Sequence, residues 1–552
     1  MSTPSNPDNG PSFGGQHSTA LAISTVIVFL GSAGSRVLGL VREQLAAGNF
    51  GTGNDIAAFT VADNLNTLLF DLLVNGMLQA AFVPVLALLA IGEAAQRGHL
   101  RRVGGTLLVL VGGAGLVVAM VGIAAAPAGV SLITAIGGNE LIRGEDARQL
   151  AIDCTRLILI SLPFLGAAAI LSAVLYAREK PSGPALAAIA RNGAIVVAIL
   201  IFGDAMGVRS MALGVVAGAV SMVVLLLHAA RRNNATPHLV CDLHDPAVHR
   251  VLRLAVPVFA GLLVSAAVVI LDRNLAWRAE ENAVGAMRYA TTLVQLVLGL
   301  VAAAVSIAAL PRLAQAHASA AENPSGFDRE LSRSLALVTS LMIPAVVALG
   351  VLSRPIVRLL FEHGATDRDA SRMIVTALLL YLPGHLVVAW DQVLIFAFYA
   401  QQNTILPVTV GVIAAGAYSL TALALFDRHG MAGLVIANSV QLIAHTLIMV
   451  WLGLRRFGAG AFLGLPGVVR KAAMAALAMA SAGWISYRAI EQILDRAIET
   501  GQTREAISVV IPLIVCAVVY AVAARAVDLR EIDELRHVIS GRLSKTGRIT
   551  RN

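Results

Sequence analysis

A long internal duplication limits the folds open to this chain more than any single residue does. Six short motifs between residues 1 and 456 recur at separations of 220 to 228 residues. The pairs are Pro84 with Pro311, Pro127 with Pro355, Pro163 with Pro383, Tyr176 with Tyr399, Met211 with Met431, and Arg231 with Arg455. Unrelated matches would scatter more widely, so we interpret the chain as two tandem copies of one long apolar unit. Such copies are typical of transporters whose halves rock about a central cavity.

The composition places these copies in a membrane. Hydrophobic residues make up 57% of the chain, charged residues 13%, and the mean hydropathy is +0.78. A soluble globular protein could not bury this much apolar surface. Because a helix needs about 20 apolar residues to cross the hydrocarbon, we predict an all-α membrane protein with about fourteen transmembrane helices. They lie near 20–46, 56–91, 104–126, 151–177, 184–203, 209–230, 250–274, 286–310, 332–360, 371–400, 405–426, 430–454, 467–489 and 506–527.

The predicted helices divide into two six-helix lobes and two C-terminal helices. Six spans per copy give both copies the same orientation, so the pseudo-two-fold axis should run along the membrane normal. The predicted segments are a disordered cytoplasmic tail at 1–18, an N-lobe at 19–232, a C-lobe at 248–456, two extra helices at 465–527 and a basic cytoplasmic tail at 528–552.

Lys and Arg are unevenly distributed between alternate loops. With the N-terminus inside, the cytoplasmic loops and the C-terminal tail carry twenty-three of them, and the external loops carry nine. The positive-inside rule therefore predicts that both termini are cytoplasmic. The same loops can contact anionic lipid headgroups, so the pI near 9.8 requires no nucleic-acid partner.

The chain lacks the common enzyme motifs. It has no Walker lysine motif, no HExxH and no GxSxG. Its three cysteines are scattered and form no CxxC pair, and its twelve histidines fall mainly in predicted loops and tails. We therefore expect no enzymatic activity, no metal site and no cofactor.

Charged residues inside the first predicted helix are informative, because an ionisable group in hydrocarbon is costly and usually faces a cavity or a partner. Arg36, Gly39 and Glu43 share one helical face, since seven residues at 100° each return to within about 20°. Arg42 lies about 120° from Arg36 on the same segment.

The second predicted helix carries a polar stripe along an otherwise apolar span. The stripe consists of Asn64, Asp71, Asn75 and Gln79. The aligned positions of the second copy are mostly small or apolar, so the two halves have specialised.

Three charged residues fall at the ends of the seventh and eighth helices: Asp272, Arg273 and Arg288. When the two copies are aligned with a small gap, Arg273 falls at the position equivalent to Arg42. In one interpretation, the side chains of Asp272 and Arg273 extend to the membrane–water interface. In the same interpretation, Arg36 pairs with Glu43 and holds helices together.

The alternative interpretation is a substrate cavity lined by arginines. Guanidinium groups match phosphate oxygens with two parallel hydrogen bonds, so Arg36, Arg42 and Arg273 would receive a phosphate-bearing substrate. The predicted cavity residues are Arg36, Arg42, Glu43, Asn64, Asp71, Asn75, Gln79, Arg273 and Arg288, with Asp272 as a candidate for ion coupling.

Several blocks of sequence resemble the MurJ (MviN) lipid II flippase family, over about residues 18 to 527. They are Ser35–Glu43 (SRVLGLVRE), Phe50-Gly51, Asn75–Pro84, Leu271-Asp272-Arg273, Leu360–Ala365 (LFEHGA) and Ala397–Ala400 (AFYA). The resemblance implies the fold of the multidrug/oligosaccharidyl-lipid/polysaccharide exporters, with two six-helix lobes forming a V. It also implies that the two extra helices border a groove for a polyprenyl tail.

The resemblance also assigns roles to single residues. Arg36 and Arg42 match two essential arginines of the family's first helix, and Asp272 matches an acid that helps bind sodium in some members. Several positions depart from the family pattern: Phe70-Asp71 replace an arginine pair, Thr292 and Ala57 replace a basic and an acidic residue, and Tyr418 and Ala422 replace the Asn or Asp partners of Asp272.

We therefore expect a flippase in the bacterial plasma membrane that moves a lipid-linked cell-wall precursor outward by alternating access. The membrane potential, Na⁺ or H⁺ would drive it, and a monomer is favoured. An exporter of another polyprenyl-linked polysaccharide, a small-molecule antiporter and a non-transporting scaffold with a decayed flippase fold are the alternatives.

Overall fold

The computed structural model describes residues 13–70, 78, 82–90, 94–134, 144–178, 180–318, 323, 325–401, 403, 405–497, 501–529 and 531. Within these residues the chain forms α-helices, one short 3-10 helix and no strand. The first eight helices are α1 (Phe13–Phe50), α2 (Asn54–Phe70), α3 (Val83–Ala90), α4 (Ala94–Thr134), α5 (Gly144–Leu159), α6 (Leu162–Ala177), α7 (Ser182–Met206) and α8 (Arg209–Arg232). The others are α9 (Pro246–Arg278), α10 (Ala283–Ala318), α11 (Gly326–Val351), α12 (Ser353–Phe361), α13 (Arg368–Ala400), α14 (Ile405–Phe457), α15 (Leu465–Ala497) and α16 (Gln502–Ala526).

Where their residues are described, the predicted apolar segments fall on these helices, and the prediction of an all-α membrane protein is confirmed. Ten helical stretches among the described residues are long and apolar enough to cross a membrane. The segment predicted at 151–177 is broken at Ser161, and the segment at 332–360 is broken at Leu352. A total of fourteen membrane crossings stays a prediction.

The duplication is visible in the backbone at two glycines. Gly207 ends α7 with a φ of 56°, and Gly430 bends α14 with a φ of 49°. Gly207 lies between the fifth and sixth predicted helices of the first copy, and Gly430 is the first residue of the sixth predicted helix of the second copy. Glycine adopts this left-handed region without the steric cost that a Cβ brings, so the same turn chemistry recurs in both halves.

The helices pack mainly within two groups. In the first, α7 packs against α1 and α8, and α4 packs against α6. In the second, α10 and α14 pack against α13. The groups meet where α1 and α2 contact α10, and where α2 and α4 contact α9. These crossing contacts are where a cavity between the halves can form.

The last two helices pack against each other and against the second group, through α11 and α12. Their interface is built from small side chains, with Ala472, Ala475 and Ala476 buried. A Cβ at Gly483 would lie 2.4 Å from the Cys516 sulfur. Small residues allow helices to approach closely in a membrane, and the outer faces of α15 and α16 remain apolar and exposed.

A linker at 233–245 joins the two groups and docks on the start of α4. His99 Nε2 lies 2.6 Å from Asp245 Oδ2, and Arg101 Nε donates to the Thr236 carbonyl at 2.8 Å. Asp245 also caps α9 by accepting from the Ala247 N–H. Partial burial alone would raise the pKa of Asp245, but the hydrogen bonds from His99 and Ala247 hold this pKa below its usual value of 3.8.

Candidate functional site

A cavity of about 410 Å³ lies between the two groups of helices. Helices α1, α2 and α7 line it from the first group, and α9 and α10 line it from the second. Its charged lining residues are Arg36, Arg42, Glu43, Asp63, Arg191, Arg273 and Arg288. Five arginines thus face two carboxylates, which leaves an excess of three positive charges.

Glu43 on α1 is the centre of a buried ion-pair cluster. Its side chain is 1% exposed and accepts from Arg288 Nε at 2.8 Å and from Arg288 Nη2 at 2.9 Å. Arg42 Nη2 donates to the same carboxylate at 2.6 Å. Arg288 also donates to Asp63 at 3.2 Å. Because Arg288 belongs to α10 and its partners belong to α1 and α2, this cluster ties the two groups together.

Arg36 makes a second connection between the groups. Its Nη1 donates to the Gln295 backbone carbonyl of α10 at 3.0 Å. Gly299 makes room for the guanidinium, because a Cβ at that position would lie 1.8 Å from Arg36 Cζ. The interpretation in which Arg36 pairs with Glu43 is wrong, since that carboxylate is bound by Arg42 and Arg288.

Arg42 is held by α7 as well as by Glu43. Its Nη1 donates to Asn192 Oδ1 at 3.2 Å, and Asn192 Nδ2 donates to the Ser35 carbonyl at 3.0 Å. Sequence reasoning missed Arg191 and Asn192, although two adjacent polar residues in the middle of an apolar span are the signal that could have found them.

Arg273 and Asp272 lie next to each other near the end of α9. Arg273 lines the central cavity, and its Nη1 lies 3.4 Å from Asp272 Oδ2. Both residues line a second cavity of about 660 Å³ inside the second group. There its carboxylate accepts a hydrogen bond from the Tyr418 hydroxyl. Tyr418 therefore supplies a donor where the family resemblance implies an Asn or Asp.

Three buried donor atoms around the central cavity have no acceptor among the residues that the structure describes. They are Arg36 Nε, Asn64 Nδ2 and Arg273 Nε. Buried polar atoms without partners are rare and call for an explanation such as a ligand or water. Together with the excess positive charge, these donors suit an anion that carries several oxygen acceptors.

Of the polar stripe predicted on the second helix, Asn64 lines the cavity. Asp71, Asn75 and Gln79 lie outside the described residues. Asp63, which binds Arg288, was not among the predicted site residues, although it is the neighbour of Asn64. Thr292 also lines the cavity, one helical turn after Arg288.

The two groups are joined by backbone contacts beyond the cavity, at the end where α1 finishes. The Ala365 N–H donates to the Gly48 carbonyl at 2.9 Å, and the Tyr289 hydroxyl donates to the Gly51 carbonyl at 2.7 Å. A Cβ on Gly364 would lie 2.0 Å from the Gly48 carbonyl oxygen. Close approach at this seam therefore requires glycine.

Known proteins share this architecture. The profile of the family described as Lipid II flippase MurJ matches residues 46–494. The chain belongs to the MurJ family. The resemblance seen in the sequence is thus confirmed. The matched residues include the seam, most of α15 and the cavity residues of α2, α7, α9 and α10, and they begin after Arg36, Arg42 and Glu43 of α1.

Curated MurJ relatives match the chain over most of their length. A lipid II flippase MurJ of Burkholderia cenocepacia is 28% identical over 432 residues, covering 77% of this chain and 82% of that protein. A probable lipid II flippase MurJ of Vibrio cholerae is 26% identical over 431 residues, covering 77% and 81%.

Solved structures show the same fold. A lipid II flippase MurJ in an inward closed conformation superimposes with a TM-score of 0.68 at 20% identity, covering 92% of this chain and 99% of that one. An inward-facing multidrug-resistance transporter of the MATE family gives a TM-score of 0.61 at 17% identity, covering 80% and 98%. The MurJ family chain therefore has the fold of the MOP exporter superfamily and is a multi-pass membrane protein.

Proposed function

We propose that this MurJ family protein is a lipid II flippase. It moves a polyprenyl-diphosphate-linked cell-wall precursor from the inner to the outer leaflet for peptidoglycan synthesis. It acts as a transporter and not as an enzyme, since it carries its substrate across without changing a covalent bond. The observation that carries this proposal is the cationic cavity between the halves, with three donors that find no acceptor within the described part of the chain.

Diphosphate is the substrate group that this cavity suits best. Arg36 and Arg273 each present a buried Nε that no described residue accepts from, and their guanidinium groups can bind phosphate oxygens in pairs. Arg42 is oriented by Glu43 and Asn192, so it contributes positive charge from a defined position. Hydrogen bonds to charged groups contribute about 1.5–3 kcal/mol each, so a few such contacts hold the headgroup while the long lipid tail stays outside.

Alternating access requires the halves to separate at the seam between Gly48 and Ala365. The hydrogen bonds there involve backbone carbonyls and neutral donors, so water can replace them when the seam opens without the separation of charges. The Glu43–Arg288 cluster lies deeper and joins the same two groups. We propose that a diphosphate competes with Glu43 for the arginines, which loosens this cluster and allows the seam to open.

Helices α15 and α16 are suited to guide the lipid tail. Leu477, Ile485, Ile514 and Val522 are exposed and apolar, so they offer a surface compatible with an acyl or polyprenyl chain. We propose that both termini are cytoplasmic and that the seam faces outward in the bacterial plasma membrane. Reporter fusions at each terminus and at the loop after Gly207 test this orientation.

Complementation tests the transport function. A host whose own lipid II flippase is depleted should keep growing when it expresses this chain, and vesicles from it should expose lipid II on the outer leaflet. Arg36→Ala with Arg273→Ala should lose both effects while still inserting in the membrane. Growth arrest with normal amounts of inserted wild-type protein would refute lipid II as the substrate and would favour another polyprenyl-linked polysaccharide.

A further inference from the structure

Two described helices of the second group contain histidines inside the membrane region, one buried and one half-buried. His385 lies on α13 and is 5% exposed, and His445 lies on the second half of α14. Both are exceptions to the prediction that the histidines of this chain fall mainly in loops and tails. Ionisable residues within transmembrane helices are costly and commonly mark an ion or proton path. His445 is the more informative of the two, because it faces a buried carboxylate.

The His445 ring faces a buried carboxylate. Its Nδ1 lies 2.8 Å from Asp391 Oδ1, and Asp391 is 5% exposed. An ionised carboxylate only accepts hydrogen bonds, so the ring nitrogen next to it carries the N–H. Because a buried charge is costly unless an opposite charge pairs with it, an ionised Asp391 suits a protonated ring.

This pair adjoins the second cavity. Gln441 lines the cavity one helical turn before His445, and Gly411 lines it from the first half of α14. A Cβ at Gly411 would lie 3.9 Å from His445 Nε2. Since glycine has no side chain to cover the ring there, a small rearrangement of α14 would bring cavity water to His445.

The electrostatic surroundings make the pair sensitive to a single proton. From α13, the Tyr399 phenol interacts with Asp391. From α11, Thr339 accepts from the Trp390 indole and brings no charge. Among the described residues, His445 is the group that pairs with Asp391, and it does so as a cation when its ring is protonated. Loss of the proton would leave a buried carboxylate without its counter-ion, which is costly in the membrane. Proton loss therefore favours a state in which water reaches this site.

We propose that Asp391 and His445 form a proton-binding site that couples proton entry to export of the lipid-linked substrate. This inference rests on the proposed function. The imidazole takes up a proton from the outer side and releases it to the cytoplasm when the halves exchange access. The proton moves on and off the ring nitrogen, and no other bond changes. A protonated ring repels a metal cation, and Asp272 is already bound by Tyr418 and Arg273, so a proton suits this half better than sodium.

Reconstituted vesicles with the membrane potential clamped at zero provide the test. The pH difference across the vesicle membrane is set so that the side of the seam is acidic. If one proton is exchanged for each lipid II molecule, each unit of pH difference should shift the steady-state ratio of lipid II between the leaflets by about tenfold toward the acidic side. His445→Gln and Asp391→Asn should remove this dependence while the equilibration of lipid II persists. His99→Gln, which alters the histidine–aspartate pair outside the membrane region, should retain it.

The outcomes separate the two proposals. Wild-type flipping that is indifferent to the pH difference would overturn proton coupling and leave the flippase function standing. The same holds if both variants keep the full tenfold response. If the wild type fails to flip lipid II at all, the proposed function fails, and the proton site is then judged by imidazole NMR. The His445 resonance is identified by its loss in the His445→Gln variant. If this resonance shows a neutral ring from pH 5 to pH 9, the proton-binding site is refuted.

If the single variants misfold, the double variant Asp391→Asn with His445→Gln takes their place. It keeps a hydrogen bond between neutral side chains and removes both charges. A folded double variant with a pH response equal to that of the wild type would contradict the proposal, and a flat response would support it.

Discussion

Replacing Arg288 with methionine tests the ion-pair cluster that joins α1 to α10. Arg288 donates to both Glu43 oxygens, at 2.8 and 2.9 Å, and to Asp63 at 3.2 Å. Methionine keeps much of the side-chain length and removes the charge. Because the Glu43 side chain is 1% exposed, its carboxylate cannot recover the lost contacts from water. Breaking a buried pair costs about 3–5 kcal/mol, and we expect the lower end because Arg42 still binds Glu43.

The assay is the free energy of unfolding of the purified protein in micelles, measured as a double-mutant cycle with Glu43→Gln. A coupling energy of about 1–3 kcal/mol between the two positions is expected, since contacting residues are not additive. Arg209→Met is the matched control, because Arg209 pairs with Asp153 at the surface at 2.8 Å. Such exposed pairs contribute about 0–1 kcal/mol. Equal losses for Arg288→Met and Arg209→Met would refute the reasoning.

Three further predictions follow from single contacts. Arg42→Ala should abolish growth support in the depletion host at normal protein levels, and Arg42→Lys should restore only part of it because an ammonium lacks the two-pronged geometry; full activity of the alanine variant would contradict a cavity role. Gly299→Ala should slow flipping about tenfold, the equivalent of one hydrogen bond, because its Cβ would lie 1.8 Å from Arg36 Cζ, whereas Gly112→Ala, with nothing within 4 Å, should not. The pKa of Asp245 in the folded protein lies below its usual value of 3.8, so the stabilisation from its carboxylate should be present above pH 3.8 and lost as the pH falls through the lower folded pKa. Melting curves measured from pH 7 to 3 should therefore show a smaller fall in Tm for Asp245→Asn than for the wild type.

The fold class and most helix positions could be predicted because they depend on local composition. A run of about 20 apolar residues must satisfy its backbone hydrogen bonds internally in lipid, and a helix does so. The helix breaks at Ser161 and Leu352 were not predicted, because both neighbouring segments are apolar and continue the same hydropathy signal. Gly430 begins the segment predicted at 430–454, and its positive φ separates this segment from the one at 405–426 within α14.

The candidate cavity was predictable only in part. Arg36, Arg42 and Glu43 could be identified from charge within an apolar helix, but their partners could not. Glu43 binds Arg288, which is 245 residues away in the chain. A periodicity argument gives the direction of a side chain on its own helix and contains no information about the helix that it meets.

The pairing of His445 with Asp391 illustrates the same limit. A single histidine in an apolar span carries little signal, and the two residues are separated by 54 positions. Hydropathy, repeat spacing and basic loops are sums over many residues, so the membrane fold, the duplication and the predicted orientation could be read from the chain. Which guanidinium meets which carboxylate, and which donor is left without an acceptor, depends on how distant helices pack, because ion pairs and hydrogen bonds require contact within a few ångströms.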